Sequence, residues 1–289
     1  MSALPKVGVV GGGQMGSGIA EVFLRAGCPV HVVEHDPACA LDAEARIRRS
    51  LDRAVGRRKI DEPTRDAAVA RLTSSADLGD LADRGLVVEA VVEDEAAKTE
   101  IFATLDKVVE DPSAILASNT SSIPIMRLAI ATDRAEHVLG MHFFNPAPVL
   151  DLVEIVPSLL TSTAARDRAE SLVTDVLGKQ VVRATDRAGF VVNALLVPYL
   201  LSAIRMVESG TATAHDVDTG MRVGCAHPMG PLELADLIGL DTVRAIAESL
   251  YSEFAEPQYA PPPLLSRMTD ARLLGRKTGR GFHDYSGDS

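Results

Sequence analysis

Short apolar, β-branched runs alternate with longer stretches of helical spacing along the first 185 or so residues. The runs at 7–10 (VGVV), 30–33 (VHVV), 86–92 (LVVEAVV), 114–118 (AILAS) and 137–141 (HVLGM) are bounded by turn residues. Such unalternated runs are the mark of strands buried on both faces of a parallel sheet. Between them, 14–26, 37–58, 95–109 and 124–130 carry the spacing and composition of helices. Then 150–156 (LDLVEIV) alternates apolar and acidic positions, 163–177 predicts a helix and 179–184 a late strand. Alternating β and α elements make this an open α/β sheet of the Rossmann type.

After Asp186 the pattern changes. The stretch 189–208 (GFVVNALLVPYLLSAIRMVE) is apolar almost all round, which predicts a helix buried on most sides, with Pro198 kinking it or starting a new one. Further helices are expected at 213–222, 231–250 and 264–273, with a proline-rich spacer at Pro261–Pro263 and no strand. The expected organisation is therefore an α/β dinucleotide-binding domain over 1–186 and a smaller all-helical domain over 187–289. A helical unit of only about 100 residues has a limited core, so its apolar helix points to a homodimer.

Composition narrows the function. In 289 residues, 46% are hydrophobic and the formal net charge is −11, which argues against disorder and against a nucleic-acid partner. Nothing approaches the roughly 18 uninterrupted apolar residues of a membrane span, and residues 1–10 lack the apolar core of a signal peptide. Cys28, Cys39 and Cys225 are scattered and include no CxxC pair. No cysteine-rich metal site or disulfide framework is expected, and a cytoplasmic location fits.

Gly11-x-Gly13-x-x-Gly16 stands between the first strand and the first helix. In that context Gly11 permits the tight turn, Gly13 lets backbone approach a pyrophosphate, and Gly16 lets strand and helix pack closely. Gln14 and Met15 complete the candidate cradle at the helix N-terminus. Glu34 follows Gly11 by 23 residues, at the end of the next strand, near the ~20 expected for a ribose-binding carboxylate. A carboxylate there repels a 2′-phosphate, so NAD is expected over NADP.

Residues 46–59 (RIRRSLDRAVGRRK) gather seven Lys/Arg and one Asp within an acidic chain. Most such runs are solvated helix faces. Their one-sidedness here favours a phosphate-bearing handle on a small substrate. Glu93–Lys98, 118–122 (SNTSS) and 142–146 (HFFNP) follow strands, where ligands of open α/β sheets bind. His142 is the candidate general base, because imidazole titrates near neutrality, and Glu154 the carboxylate that orients it.

With GGGQMGSGIA, EAVVEDEAAK, ASNTSS, GMHFFNPAPV, LVEIV, GFVVNALLVPYL, HPMGPLELADLIGLD and GRKTGRGF in hand, the chain resembles the 3-hydroxyacyl-CoA dehydrogenase family nearly end to end, particularly its short bacterial 3-hydroxybutyryl-CoA members. The resemblance implies proton removal from a substrate 3-hydroxyl by His142, with Ser121 and Asn193 holding the reacting oxygen. It implies Glu93, Lys98, Ser121, Asn145 and Lys277 as cofactor contacts, and Ser50, Arg57 and Lys59, with Ser121, as contacts of an acyl-CoA. Arg187-Ala188-Gly189-Phe190 and Asn193-Ala194 stand where the family often has TPGF and VNR, and Arg57 where a Lys is usual. Two other functions remain open: the same chemistry on a carrier-protein-bound or free hydroxy acid, and an NAD-binding protein without catalysis.

Overall fold

The computed structural model describes residues 4–287. The chain divides between Arg187 and Ala188 into two compact units. The first contains strands β1 (Val7–Val10), β2 (Val30–Val33), β3 (Leu72–Ser75), β4 (Leu86–Glu89), β5 (Ile115–Ser118), β6 (Val138–Phe143), β7 (Leu152–Pro157) and β8 (Gln180–Arg183). Its helices are α1 (Gln14–Arg25), α2 (Pro37–Gly56), α3 (Glu62–Ala70), α4 (Glu95–Val108), α5 (Ile125–Ala129) and α6 (Thr163–Ser171). The strands form one sheet in the order β3-β2-β1-β4-β5-β6-β7-β8. Pairing is parallel from β3 to β6; β7 is antiparallel to β6, and β8 is parallel to β7. This is the expected Rossmann-like dinucleotide-binding fold.

Every residue of β1, β2, β4, β5 and β6 is buried, as unalternated apolar runs require when both faces are covered. Ile19, Phe23 and Leu24 of α1 pack into the same core as Ile47 and Leu51 of α2. Asp36 caps α2 by accepting from the Cys39 amide at 2.8 Å, and Pro37 occupies its first turn.

Three expectations need correcting in this unit. Helix α3 and strand β3 were absent from the predicted elements. β3 reads LTSS and lies at the sheet edge with only Leu72 buried, so it lacks the apolar run that marks the others. The run 86–92 pairs as a strand only to Glu89, whose side chain turns into a polar network described below.

The second unit is all-helical: α7 (Val192–Glu208), α8 (Ala214–Thr219), α9 (Pro231–Ile238), α10 (Leu240–Phe254) and α11 (Pro263–Asp270). Leu200, Leu201, Ile204, Leu232, Val243, Leu250 and Leu265 are among its core. The expected single helix 231–250 is two, because Gly239 takes φ +102° between α9 and α10. Helix α7 runs through Pro198 without ending, and it is not covered all round: Leu195 is 74% exposed. The GRKTGRGF segment folds onto Asp236, which accepts from the Phe282 and His283 amides at 3.0 and 2.9 Å. A side chain at Gly281 would place Cβ 2.0 Å from Asp236 Oδ1. Among the described residues no helix is long and apolar enough to cross a membrane.

Candidate active site

His142 and Glu154 face each other directly across the β6–β7 ladder. Directly opposed residues of an antiparallel pair project to the same face with Cβ atoms about 5 Å apart. The register thus brings imidazole and carboxylate within reach, and Nδ1 lies 2.8 Å from Glu154 Oε2. His142 is 4% exposed and Glu154 0%. With Nδ1–H donating to the carboxylate, Nε2 carries the lone pair, 3.0 Å from Ser121 Oγ. Phe144 lies edge-on to the imidazole with centroids 4.6 Å apart.

Ser121 is itself held. Glu93 Oε1 accepts from the Ser121 and Ser122 amides at 3.1 and 3.2 Å, from Ser122 Oγ at 2.9 Å and from Thr120 Oγ1. One carboxylate oxygen therefore gathers the whole loop that follows β5. Lys98, 1% exposed, sets Nζ 3.3 Å from Glu93 Oε2 and 2.6 Å from Oε1 of the fully buried Glu89. Glu89 also accepts from Ser118 Oγ at 2.6 Å and the Val91 amide at 2.7 Å. It ties the carboxyl ends of β4 and β5 to α4. Burial pushes the Glu93 carboxyl up, but the Lys98 ammonium and the hydrogen bonds from Thr120 and Ser122 outweigh it and leave Glu93 below the usual carboxylate range.

The glycine loop has the geometry a dinucleotide needs. Gly11 takes φ +91°, and a Cβ at Gly16 would meet the Gly11 carbonyl oxygen at 1.7 Å. A Cβ at Gly13 would point into open space within 4 Å, at the N-terminus of α1, where no side chain caps the first amides. A pyrophosphate fits those uncapped amides. Glu34 Oε1 accepts from the Gly12 amide at 2.7 Å, fixing the acid beside the loop, and the Arg46 guanidinium donates to the Gly12 carbonyl. A cavity of about 620 Å³ opens beside Gly11, Gly13, Glu34, His35, Val91 and Ile101. Its predominantly apolar lining and single carboxylate suit an adenosine, so the residues present fit NAD.

Gln14 Nε2 donates to Asn145 Oδ1 at 3.3 Å, joining the glycine-loop helix to the segment three residues beyond His142. The half-buried Met15 packs against the core of the first unit. Within the basic cluster, Arg48 is paired with Glu44 at 2.7 Å, whereas Arg49, Arg53, Arg57, Arg58 and Lys59 are exposed and Ser50 half-buried. Asn193 and Lys277 belong to the second unit, where Asn193 is buried on α7 and Lys277 pairs with Asp241. Sequence reasoning passed over Glu89, Asn119 and Thr120. Asn119 Oδ1 accepts from the Phe143 amide at 2.8 Å, pinning the strand that carries His142. A lone carboxylate within the apolar run 86–92 was the available signal for Glu89.

Two family models match the chain: the NAD-binding domain of 3-hydroxyacyl-CoA dehydrogenase over residues 6–187 and its C-terminal domain over 189–285. The chain is 61% identical over 283 residues to a 3-hydroxybutyryl-CoA dehydrogenase of Mycobacterium tuberculosis, covering 98% of this chain and 99% of that one. The crystal structure of M. tuberculosis FadB2 is similar at TM-score 0.97, with 61% identity, covering 98% of this chain and 100% of that one. That of the (S)-3-hydroxybutyryl-CoA dehydrogenase PaaH1 from Ralstonia eutropha is similar at TM-score 0.92, with 42% identity, covering 98% and 99%.

The Glu93 clamp has a pH signature. Because its carboxyl sits below the usual value in the folded chain, the clamp is complete above the ordinary glutamate value of about 4.3 and is released only as pH falls through its own lower one. Hydrogen-exchange protection of the Ser121 and Ser122 amides should therefore survive the ordinary value in the native protein. In Glu93→Ala the Ser121 amide should lose its protection at every pH, whereas that of Ser122 keeps Thr120 Oγ1 as an acceptor at 3.2 Å, and turnover should fall about 10²-fold from the misplaced Ser121. Ser121 protection that persists in that variant would count against the clamp.

Proposed function

The chain belongs to the 3-hydroxyacyl-CoA dehydrogenase family, and we propose that it interconverts short-chain (S)-3-hydroxyacyl-CoA and 3-oxoacyl-CoA esters, such as the 3-hydroxybutyryl and acetoacetyl pair, with NAD. The observation that carries this reading is the buried imidazole–carboxylate pair, whose Nε2 meets Ser121 at the carboxyl ends of the strands.

NAD, when bound, takes a hydride from the substrate carbinol carbon or returns one to the carbonyl. Gly11, Gly13, Gln14, Met15 and Gly16 cradle its pyrophosphate, Glu34 accepts from its adenosine ribose, and Glu93, Lys98, Ser121 and Asn145 serve its nicotinamide half. In oxidation His142 Nε2 accepts the proton of the 3-hydroxyl. In reduction it returns that proton to the carbonyl oxygen. Glu154 holds the productive tautomer and stabilises the imidazolium that forms, and Ser121 Oγ–H steadies the reacting oxygen. Asn193 and Lys277 enter this reading only through the family resemblance.

Ser50, Arg57 and Lys59 are proposed to hold the coenzyme A phosphates, with the exposed Arg53 and Arg58 adding to the same positive field. We also propose a homodimer, supported by Leu195 at 74% and Val223 at 79% exposure on the second unit. The three unpaired cysteines fit a reducing, cytoplasmic setting.

NADH oxidation with acetoacetyl-CoA should be robust in the native protein. His142→Ala and Glu154→Gln should each lose about 10²–10⁴ in kcat while NADH binding, followed by its fluorescence, stays intact. Full activity in His142→Ala would transfer the base role elsewhere. Reversing charge at Arg53, Arg57 and Arg58 together should raise KM about tenfold for acetoacetyl-CoA and leave that for free acetoacetate unmoved. An unchanged KM for the CoA ester would remove the patch from the substrate site. Sedimentation equilibrium should give twice the mass of the chain, shifting to the single-chain mass in Leu195→Glu with Val223→Glu; a native monomer would refute the dimer.

A further inference from the structure

The acid that faces the adenosine pocket is followed by His35, Asp36 and, one helical turn on, Cys39. The capping of α2 gathers them. Asp36 folds back to accept from the Cys39 amide, which brings the carboxylate and the thiol to one side of the helix entrance. His35, immediately before the cap, lays its ring over both: Nε2 is 3.0 Å from Asp36 Oδ2 and 3.6 Å from Cys39 Sγ. Among the described residues this is the only trio of His, Cys, Asp or Glu whose ligand atoms all lie within 4.8 Å of one another.

The nitrogen–sulfur separation matches the edge of a coordination tetrahedron, and the nitrogen–oxygen one is a few tenths of an ångström shorter. With metal–nitrogen and metal–oxygen bonds of about 2.0–2.2 Å and a metal–sulfur bond of about 2.3 Å, tetrahedral ligands sit roughly 3.3–3.6 Å apart. The remaining ring nitrogen is also placed as metal sites require, with His35 Nδ1 3.1 Å from Glu34 Oε2. A carboxylate accepting from the non-ligating N–H fixes the tautomer and aims Nε2 at the cation. An imidazole, a thiolate and a carboxylate together select zinc over magnesium or calcium. The two anionic ligands balance a divalent charge, so the positive end of α2 does not oppose the assembly.

We propose that His35, Asp36 and Cys39 form a three-ligand site for zinc or a similar soft divalent cation on the rim of the dinucleotide cavity, and that its occupancy weakens binding of NAD(H) through Glu34. Cation binding displaces the thiol proton to solvent and leaves a fourth position for water. It also locks the His35 Nδ1–H on Glu34 Oε2, which already accepts from the His35 amide at 3.3 Å while Oε1 accepts from Gly12. The metal-held imidazole and the ribose therefore compete for Glu34. This coupling rests on the cofactor reading above; the metal site itself does not.

The test uses the full, tag-free chain. Calorimetric titration with Zn²⁺ alone should show one site per chain, weakened at least about tenfold in Cys39→Ser and unchanged in Cys225→Ser. Co²⁺ should give a thiolate-to-cobalt charge-transfer band that Cys39→Ser abolishes. The Kd for NADH, read by fluorescence, should rise about tenfold in saturating Zn²⁺ for the native protein and stay constant for Cys39→Ser. Equal zinc affinity in Cys39→Ser, no charge-transfer band, or an NADH affinity indifferent to zinc would each overturn the proposal. Failure of the cofactor reading would show separately, as absence of NADH binding in zinc-free protein.

Discussion

The candidate site of this molecule depends on one cross-strand pair. β7 is the first strand to run against the others, and that reversal puts Glu154 directly opposite His142. A parallel neighbour would need a crossover connection of a dozen or more residues instead of the short segment 144–151. A slip of one residue in this ladder would turn the carboxylate to the other face of the sheet. The apolar positions alternating with Glu154 guard against such a slip, because Val153 and Ile155 are buried with it.

Around that pair the site is assembled by carboxylates that each organise backbone. Glu34 is bonded to the Gly12 amide, Glu89 to that of Val91, and Glu93 to those of Ser121 and Ser122. Each lies in or just beyond the carboxyl end of a parallel strand, where loops leave the sheet with amides in need of partners. Lys98 offsets the charge of the two inner acids, so Glu89 can stand fully buried. A parallel sheet thus presents loops held by charge-assisted hydrogen bonds, with far less freedom than their composition suggests.

Much of this was legible in the residues alone. The buried strands announce themselves as apolar runs, and the glycine spacing with Glu34 falls on residues that line one cavity. What escaped had physical reasons. β3 is an edge strand whose Thr73 and Ser75 hydroxyls meet the ring of His31 at 2.7 and 2.9 Å, so its sequence is polar where a central strand would be apolar. Helices α9 and α10 share one apolar periodicity, and only the backbone of Gly239 separates them. The cluster at His35 has no CxxC signature because a capping bond, not a ligand spacing, brings its members together. The resemblance singles out Lys98 as a cofactor contact, and its burial between Glu89 and Glu93 is a second feature that its place after a strand does not reveal.

In the proposed reaction, the burial of Glu154 lets the pair act as a catalyst and not merely as a fastener. Holding a carboxylate away from water is expensive, by several kcal/mol even after relaxation. In the resting site the imidazole meets that carboxylate through the Nδ1–Oε2 hydrogen bond. When the substrate proton reaches Nε2, the ring becomes a cation 2.8 Å from that carboxylate, and the attraction grows just as charge develops at the reacting oxygen. Stabilisation that is greater for the charged state than for the resting state lowers the barrier rather than deepening the ground state. The strand register fixes that geometry in the chain alone, and the Glu93 loop sets Ser121 Oγ 3.0 Å from Nε2, beside the proposed path of the proton.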